Sequence, residues 1–280
     1  MRITKIIITS FACTISIAAS AQVDLATYGV QLNCTDIKKA AEFYHDILGF
    51  HINITDSATI LLKPRTGDET IMIRKVNYLL AQQPNEARAT LTLQVNNLDS
   101  TIARLKRKGV NLGNYQKRKE GVGYAMHIDD PFGTRLSLMH ETVVANPTFD
   151  EPKIYNYGFY IPDMPGAIDF YSRILGFPIR SNKYLPLDMP LNNTDGTFGF
   201  MLHTRDGVEP IHFNSPDNEH VVIVFKTKDL DVLIANLGKA GVTVQKKIEL
   251  FPNGRTISFY DPFGYISRAI EIPIVRKVEK

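Results

Sequence analysis

An eleven-residue block occurs twice in this chain, and that repetition constrains the fold more than any other feature. Ala40-Ala41-Glu42-Phe43-Tyr44-His45-Asp46-Ile47-Leu48-Gly49-Phe50 returns as Ala167-Ile168-Asp169-Phe170-Tyr171-Ser172-Arg173-Ile174-Leu175-Gly176-Phe177, at an offset of 127. Asp130-Pro131-Phe132-Gly133 returns as Asp261-Pro262-Phe263-Gly264 at an offset of 131. Between these blocks, Leu105-x-x-x-Gly109-Val110 returns as Leu237-x-x-x-Gly241-Val242. Three matched blocks in one order mark a duplication. The prolines and polar residues around 146–153 read as the linker between the copies. This predicts a first domain over 22–145, a second over 154–275 and a short tail at 276–280.

Each half doubles again. Tyr28 to Cys34 is strand-like and leads through Thr35-Asp36 into a helix, whose apolar residues Ile37, Ala40, Ala41, Tyr44, Ile47 and Leu48 keep helical spacing. Gly49 is placed to end that helix in the left-handed region. Strands are expected at Phe50 to Ile54, Thr59 to Leu62 and Glu69 to Arg74. The cycle restarts with strand Thr90 to Val95, helix Leu98 to Lys108 and stop Gly109. Strands near Val110, at Gly123 to Ile128 and at Thr134 to His140 complete it, and half two repeats the plan from Tyr155 and from His220. Asp-Pro-Phe-Gly supplies the turn between the last two strands. The expected fold is therefore α+β, with four strand-helix-strand-strand-strand modules.

The first 21 residues read as an export signal. Arg2 and Lys5 precede the uncharged stretch Ile6 to Ala19, and Ala19-Ser20-Ala21 offers small residues for cleavage. Fourteen uncharged residues are short for a membrane span of about 20. The expected mature protein is periplasmic or extracellular, without stable membrane insertion. Removing the signal leaves Cys34 as the single cysteine, expected to be buried in a strand rather than reactive. The 32 Lys+Arg and 29 Asp+Glu become 30 and 29 in the mature chain. A chain so near neutrality has no global electrostatic attraction for nucleic acid or anionic lipid. Lys106-Arg107-Lys108 reads as a solvated helix face.

The order strand-Asp-helix-Phe-Tyr-x-x-Ile-Leu-Gly-Phe, with a closing Asp-Pro-x-Gly turn, resembles the vicinal oxygen chelate superfamily. That superfamily includes glyoxalase I, extradiol dioxygenases and bleomycin-resistance proteins. The resemblance implies four modules paired into two open, barrel-like sheets, each around a cleft in which the family's enzymes hold a divalent metal. The Phe-Tyr and Gly-Phe residues read as core and helix stop. Because four modules lie in one chain, a monomer is expected.

The resemblance also implies ligand positions. In half one they fall on Gly29, Thr90, Met72 and Ser137, none of them a His or carboxylate. In half two they fall on Asn156, His212, Val222 and Arg268, where Arg268 stands in place of the family's Glu. Divalent metals need several His, Asp or Glu donors, so no cofactor is expected. The alternative is a divalent metal on a displaced cluster of His203, His212 and His220. Arg268 with His212 and Asn156 suits an anionic or oxygen-rich small molecule; equally, Arg268 pairs with Glu271 or lies at a wet strand edge. His127 is expected to point into the first cleft near Ser137 and Arg135, as a general base or as a satisfied histidine. Asp129-Asp130 reads as turn capping.

Three function classes stay open on these residues. The preferred one is an exported protein of this type that binds a small polar or anionic ligand without the usual metal. The second is a metal-dependent lyase, isomerase or dioxygenase with displaced ligands. The third is a structural or partner-binding duplication with closed pockets.

Overall fold

The computed structural model describes residues 24–55, 57–62, 70–80, 89–143, 152–193, 196–204, 219–245, 249–251 and 254–272. The expected export signal, linker residues 146–151, His212 and the tail 276–280 lie outside the described residues.

The four modules are present. The first comprises β1 (Leu25–Cys34), α1 (Ile37–Ala41), β2 (Ile52–Thr55), β3 (Thr59–Leu62) and β4 (Thr70–Lys75). The second comprises β5 (Ala89–Gln94), α2 (Leu98–Arg107), β6 (Arg118–Glu120), β7 (Gly123–Asp129) and β8 (Arg135–Glu141). The third has β9 (Lys153–Ile161), α3 (Met164–Ile168), β10 (Asp188–Asn192) and β11 (Phe198–Thr204). The fourth has β12 (Val221–Thr227), α4 (Leu230–Lys239), β13 (Glu249–Phe251), β14 (Gly254–Tyr260) and β15 (Ile266–Glu271). No helix among the described residues is long and apolar enough to cross a membrane.

Local chemistry explains each helix. Asp36, Asn97, Asp163 and Asp229 are N-caps in extended conformation, each side chain accepting from backbone N–H groups of the first turn. Such a cap contributes about 1 kcal/mol. The repeated Phe-Tyr blocks do not continue as α-helix: Glu42–Ile47 and Asp169–Ile174 form wider π-helical turns. In those turns two consecutive aromatics are buried, Phe43 with Tyr44 and Phe170 with Tyr171. Gly49 and Gly176 then reverse the chain at φ +92° and +85°, a conformation that favours glycine. Two expected strands are missing among the described residues. In the third module the first strand after the helix is reduced to an isolated bridge between Ile179 and Leu191. The chain after Val110 is a turn, in which the Gly113 N–H donates to Asn111 Oδ1 at 2.9 Å.

The sheets do not follow the sequence repeat. The eight-stranded sheet runs β13-β14-β15-β12-β1-β4-β3-β2, and the seven-stranded sheet runs β10-β11-β9-β5-β8-β7-β6. Module one therefore shares a sheet with module four through antiparallel β1 and β12, with Val30 opposite Ile223. Module two shares the other sheet with module three through antiparallel β5 and β9, with Leu91 opposite Tyr157.

Strand alternation divides each sheet into two faces. Val30, Leu32, Ile71, Ile223 and Phe225 of the larger sheet join Leu91, Leu93, Leu136, Leu138 and Phe159 of the smaller in one core. Leu105 of α2 and Leu233 and Leu237 of α4 belong to the same cluster. The helices thus lie against the core faces, and the alternate residues form a helix-free face on each sheet.

Candidate functional site

On the helix-free face of the smaller sheet, four polar side chains stand in one row across four neighbouring strands. Asn156 of β9 is opposite Thr92 of β5, Thr92 is beside Ser137 of β8, and Ser137 is opposite His127 of β7. Three strand spacings make the row about 14 Å long, which suits a small molecule. Asn156 Oδ1 and His127 Nδ1 are buried atoms with no hydrogen-bond partner among the described residues. A buried polar atom left unpaired costs about 1–3 kcal/mol, so both ends of the row favour a hydrogen-bonding guest.

The His127 end is the electrically structured one. Tyr115 meets the imidazole edge to face at 6.0 Å between ring centroids. The Arg135 guanidinium lies 4.9 Å from the Tyr115 ring centroid, while its Nε donates to Asp129 Oδ1 at 3.1 Å. The Tyr115 hydroxyl donates to Asp129 Oδ2 at 3.1 Å. Burial, then the nearby Arg118 and Arg135 cations, holds His127 below the ordinary imidazole range. It is therefore neutral at neutral pH, able to accept a hydrogen bond or a proton.

The larger sheet carries a different constellation. Arg268 of β15 lies between Val224 of β12 and Ser258 of β14 and is 1% exposed. Gln31 of β1, opposite Val222, donates through Nε2 to Asn33 Oδ1 at 2.7 Å. Asn33 donates through Nδ2 to the Glu219 carbonyl at 2.6 Å. This face is deeply covered: Gln31 and Val222 are 0% exposed.

The family description "Glyoxalase/Bleomycin resistance protein/Dioxygenase superfamily" matches residues 28–138 and again 153–267. The chain belongs to this superfamily. Its fold is similar to that of a candidate dioxygenase from Bacillus subtilis, with TM-score 0.64, 14% identity, and coverage of 90% of this chain and 87% of that one. Glyoxalase I from Zea mays gives TM-score 0.62 and 14% identity, covering 88% of this chain and 92% of that chain. A search of curated proteins returned no match.

Superfamily membership makes the module pairing decisive for the implied ligand positions. The sets counted within each half do not share a cleft. Gly29, Met72, Val222 and Arg268 belong to the larger sheet, whereas Thr90, Ser137 and Asn156 belong to the smaller. Arg268 is therefore not beside Asn156. Neither does it lie at a wet edge, and Glu271 is held by Arg255, with Nε to Oε2 at 2.8 Å. Gly29 has a backbone role, because a Cβ there would stand 1.8 Å from the Thr70 carbonyl oxygen.

Neither described donor set suits the superfamily's divalent metal. The larger sheet places the Arg268 cation among Met72, Val222 and Gly29, and the smaller offers Thr92, Ser137, Asn156 and one imidazole. Among the described residues, no three or more His, Cys, Asp or Glu side chains are grouped to hold a metal ion. His203 and His220 do not come together: His203, on β11 of the smaller sheet, has Nδ1 2.7 Å from Asp188 Oδ1. His220 leads into β12 of the larger sheet and donates through Nε2 to the Leu80 carbonyl at 2.6 Å. Its Nδ1 lies 3.1 Å from Thr134 Oγ1.

His127, Ser137 and Asn156, predicted from two different halves, are thus united, and Thr92 and Tyr115 join them. Thr92 was readable as the polar member of the alternating Leu91-Thr92-Leu93 run. Tyr115 sits in an irregular segment and carries no pattern.

Proposed function

We propose that this chain is an exported, small-molecule-binding member of the superfamily. Its cleft is the helix-free face of the seven-stranded sheet, working without a divalent metal at the family's usual place. The carrying observation is the row Asn156, Thr92, Ser137 and His127, whose end atoms Asn156 Oδ1 and His127 Nδ1 are buried with no hydrogen-bond partner among the described residues. Every member of that row is uncharged at neutral pH. The complementary ligand is a polar, hydroxyl- or carbonyl-bearing molecule rather than one recognised mainly by charge. Binding such a ligand pairs groups that are costly to leave unpaired, which favours specificity over raw affinity.

Calorimetric titration with polyols, sugars and hydroxy acids tests this reading, using wild type alongside Asn156→Ala and His127→Ala. A bound ligand should lose about five- to 150-fold in affinity when either end group is removed, because one hydrogen bond to a buried group is worth about 1–3 kcal/mol. Equal affinity across all three proteins sinks the cleft assignment. Elemental analysis of chelator-free protein should show well below one metal ion per chain. N-terminal sequencing of material recovered outside the cytoplasm should begin at Gln22.

A further inference from the structure

The duplication provides an internal control for a second site. A cavity of about 460 Å³ opens where the first helical segment, the end of α2 and the β7–β8 turn meet. Phe43, Ile47, Val110 and Pro131 give it an apolar floor, and Lys39 and Lys108 stand at its walls. That volume is in the range of small-molecule pockets.

Residues that the fold requires recur in both halves. Phe43, Ile47, Val110 and Pro131 correspond to Phe170, Ile174, Val242 and Pro262. The two lysines do not recur: Gly166 stands at the place of Lys39, and Ala240 replaces Lys108 as the helix C-cap. The substitution at 166 has a structural consequence. A Cβ on Gly166 would lie 2.4 Å from Asp163 Oδ2 and 3.5 Å from Phe263 Cζ, so the Phe263 ring is packed down on the helix start and is 7% exposed. In the first half, Lys39 occupies that place, its Nζ 6.0 Å from the Phe132 ring centroid, and Phe132 is only half-buried. The lysines are therefore not needed to build the module.

The charge pattern restricts what fits. Asp129 and Asp130 also line the cavity, but Asp129 is engaged by Arg135 and Tyr115. Asp130 accepts from the Tyr44 hydroxyl and from the Phe132 and Thr134 N–H groups. Glu42 completes the wall on the helix side and disfavours a second negative charge on the guest. We propose that this cavity binds a monocarboxylate with an apolar body. The carboxylate lies between Lys39 and Lys108, and the body rests on Phe43, Ile47, Val110 and Pro131. None of Asn156, Thr92, Ser137 and His127 lines this cavity, although Asp129 adjoins both places, and the proposal does not depend on the reading of the row.

The test is amide chemical-shift titration of the full chain with hexanoate and 3-phenylpropionate, compared with their neutral amides. Saturable shifts are expected at Gly109, Val110 and Asn111 for the acids. Both lysines are exposed, so Lys39→Ala/Lys108→Ala should keep the native spectrum while losing at least tenfold in affinity. Lys39→Arg/Lys108→Arg should restore binding, and Asn156→Ala should leave it unchanged. The proposal is overturned if neither acid gives saturable shifts, if the amides bind equally, if the double alanine variant binds like wild type, or if Asn156→Ala abolishes the shifts.

Discussion

The Tyr44 hydroxyl donates to Asp130 Oδ2 at 2.8 Å, and the repeat reproduces the bond as Tyr171 to Asp261 at 2.7 Å. Tyr44 follows β1 of the larger sheet, whereas Asp130 lies in the β7–β8 turn of the smaller. Tyr171 follows β9 of the smaller sheet, and Asp261 lies between β14 and β15 of the larger. The two bonds are reciprocal clasps between sheets. They join the two blocks that recur most clearly in the sequence, the Phe-Tyr helix and the Asp-Pro-Phe-Gly turn.

Removing one clasp should be costly. Asp130 is 6% exposed and Asp261 3%, so Tyr44→Phe or Tyr171→Phe leaves a buried carboxylate without its hydroxyl donor. Each change should lower unfolding free energy by about 1–3 kcal/mol, and the double variant should lose close to the sum if the clasps act independently. Urea denaturation measures both; a change below about 0.5 kcal/mol in either single variant contradicts the clasp.

Acid should act through Glu271. Hydrogen bonds from Arg255 are the main cause that holds its carboxyl at about 2 against an ordinary 4.5, assisted by the Leu230 N–H and opposed by burial. A lowered folded-state value means stabilisation that is full above pH 4.5 and lost as pH falls towards 2. The difference in Tm between wild type and Glu271→Gln should therefore shrink across that window. A difference that stays constant from pH 6 to pH 2 argues against the linkage.

His127 should titrate below the ordinary imidazole range in the ligand-free protein, from burial first and the Arg118 and Arg135 cations next. Arg135→Ala removes one of those cations and should move the midpoint up. Ligands of the seven-stranded cleft that donate to His127 Nδ1 should bind less tightly as pH falls through that midpoint, because the protonated ring no longer accepts. Histidine NMR titration reads the midpoint directly, and an unchanged value in Arg135→Ala removes the electrostatic account.

Cys34 is buried in β1, and burial with the nearby Asp130 charge pushes its thiol up to about 12. The thiolate is the reactive form, so native protein at pH 8 should resist alkylation while urea-unfolded protein labels rapidly. Fast labelling without denaturant would show that this strand opens.

Much of this was legible because it is local. Asp36 and Asp163 precede apolar helical spacing, Gly49 and Gly176 end it, and Asp130 and Asp261 cap the turns that their motif suggests. Alternation likewise placed His127 and Ser137 on one face of their sheet. Asn156 could not be assigned to that row in advance, because its partner Thr92 belongs to the other copy of the repeat. The surroundings of Arg268 were open for the same reason: its neighbours Val224 and Ser258 are set by sheet order, and its burial depends on what covers the sheet.

The amino-acid sequence by itself determined the four modules, their caps and turns, the core-facing residues and the superfamily. These depend on side-chain periodicity and on backbone conformations that few residues adopt. Only the tertiary structure decided that module one pairs with module four and module two with module three, and hence which polar residues meet. Strand edges present the same N–H and C=O groups whatever their side chains, so edge pairing carries little sequence signal. That pairing buries one core shared by both sheets, while each Tyr–Asp clasp ties the two modules of one half together across the sheets.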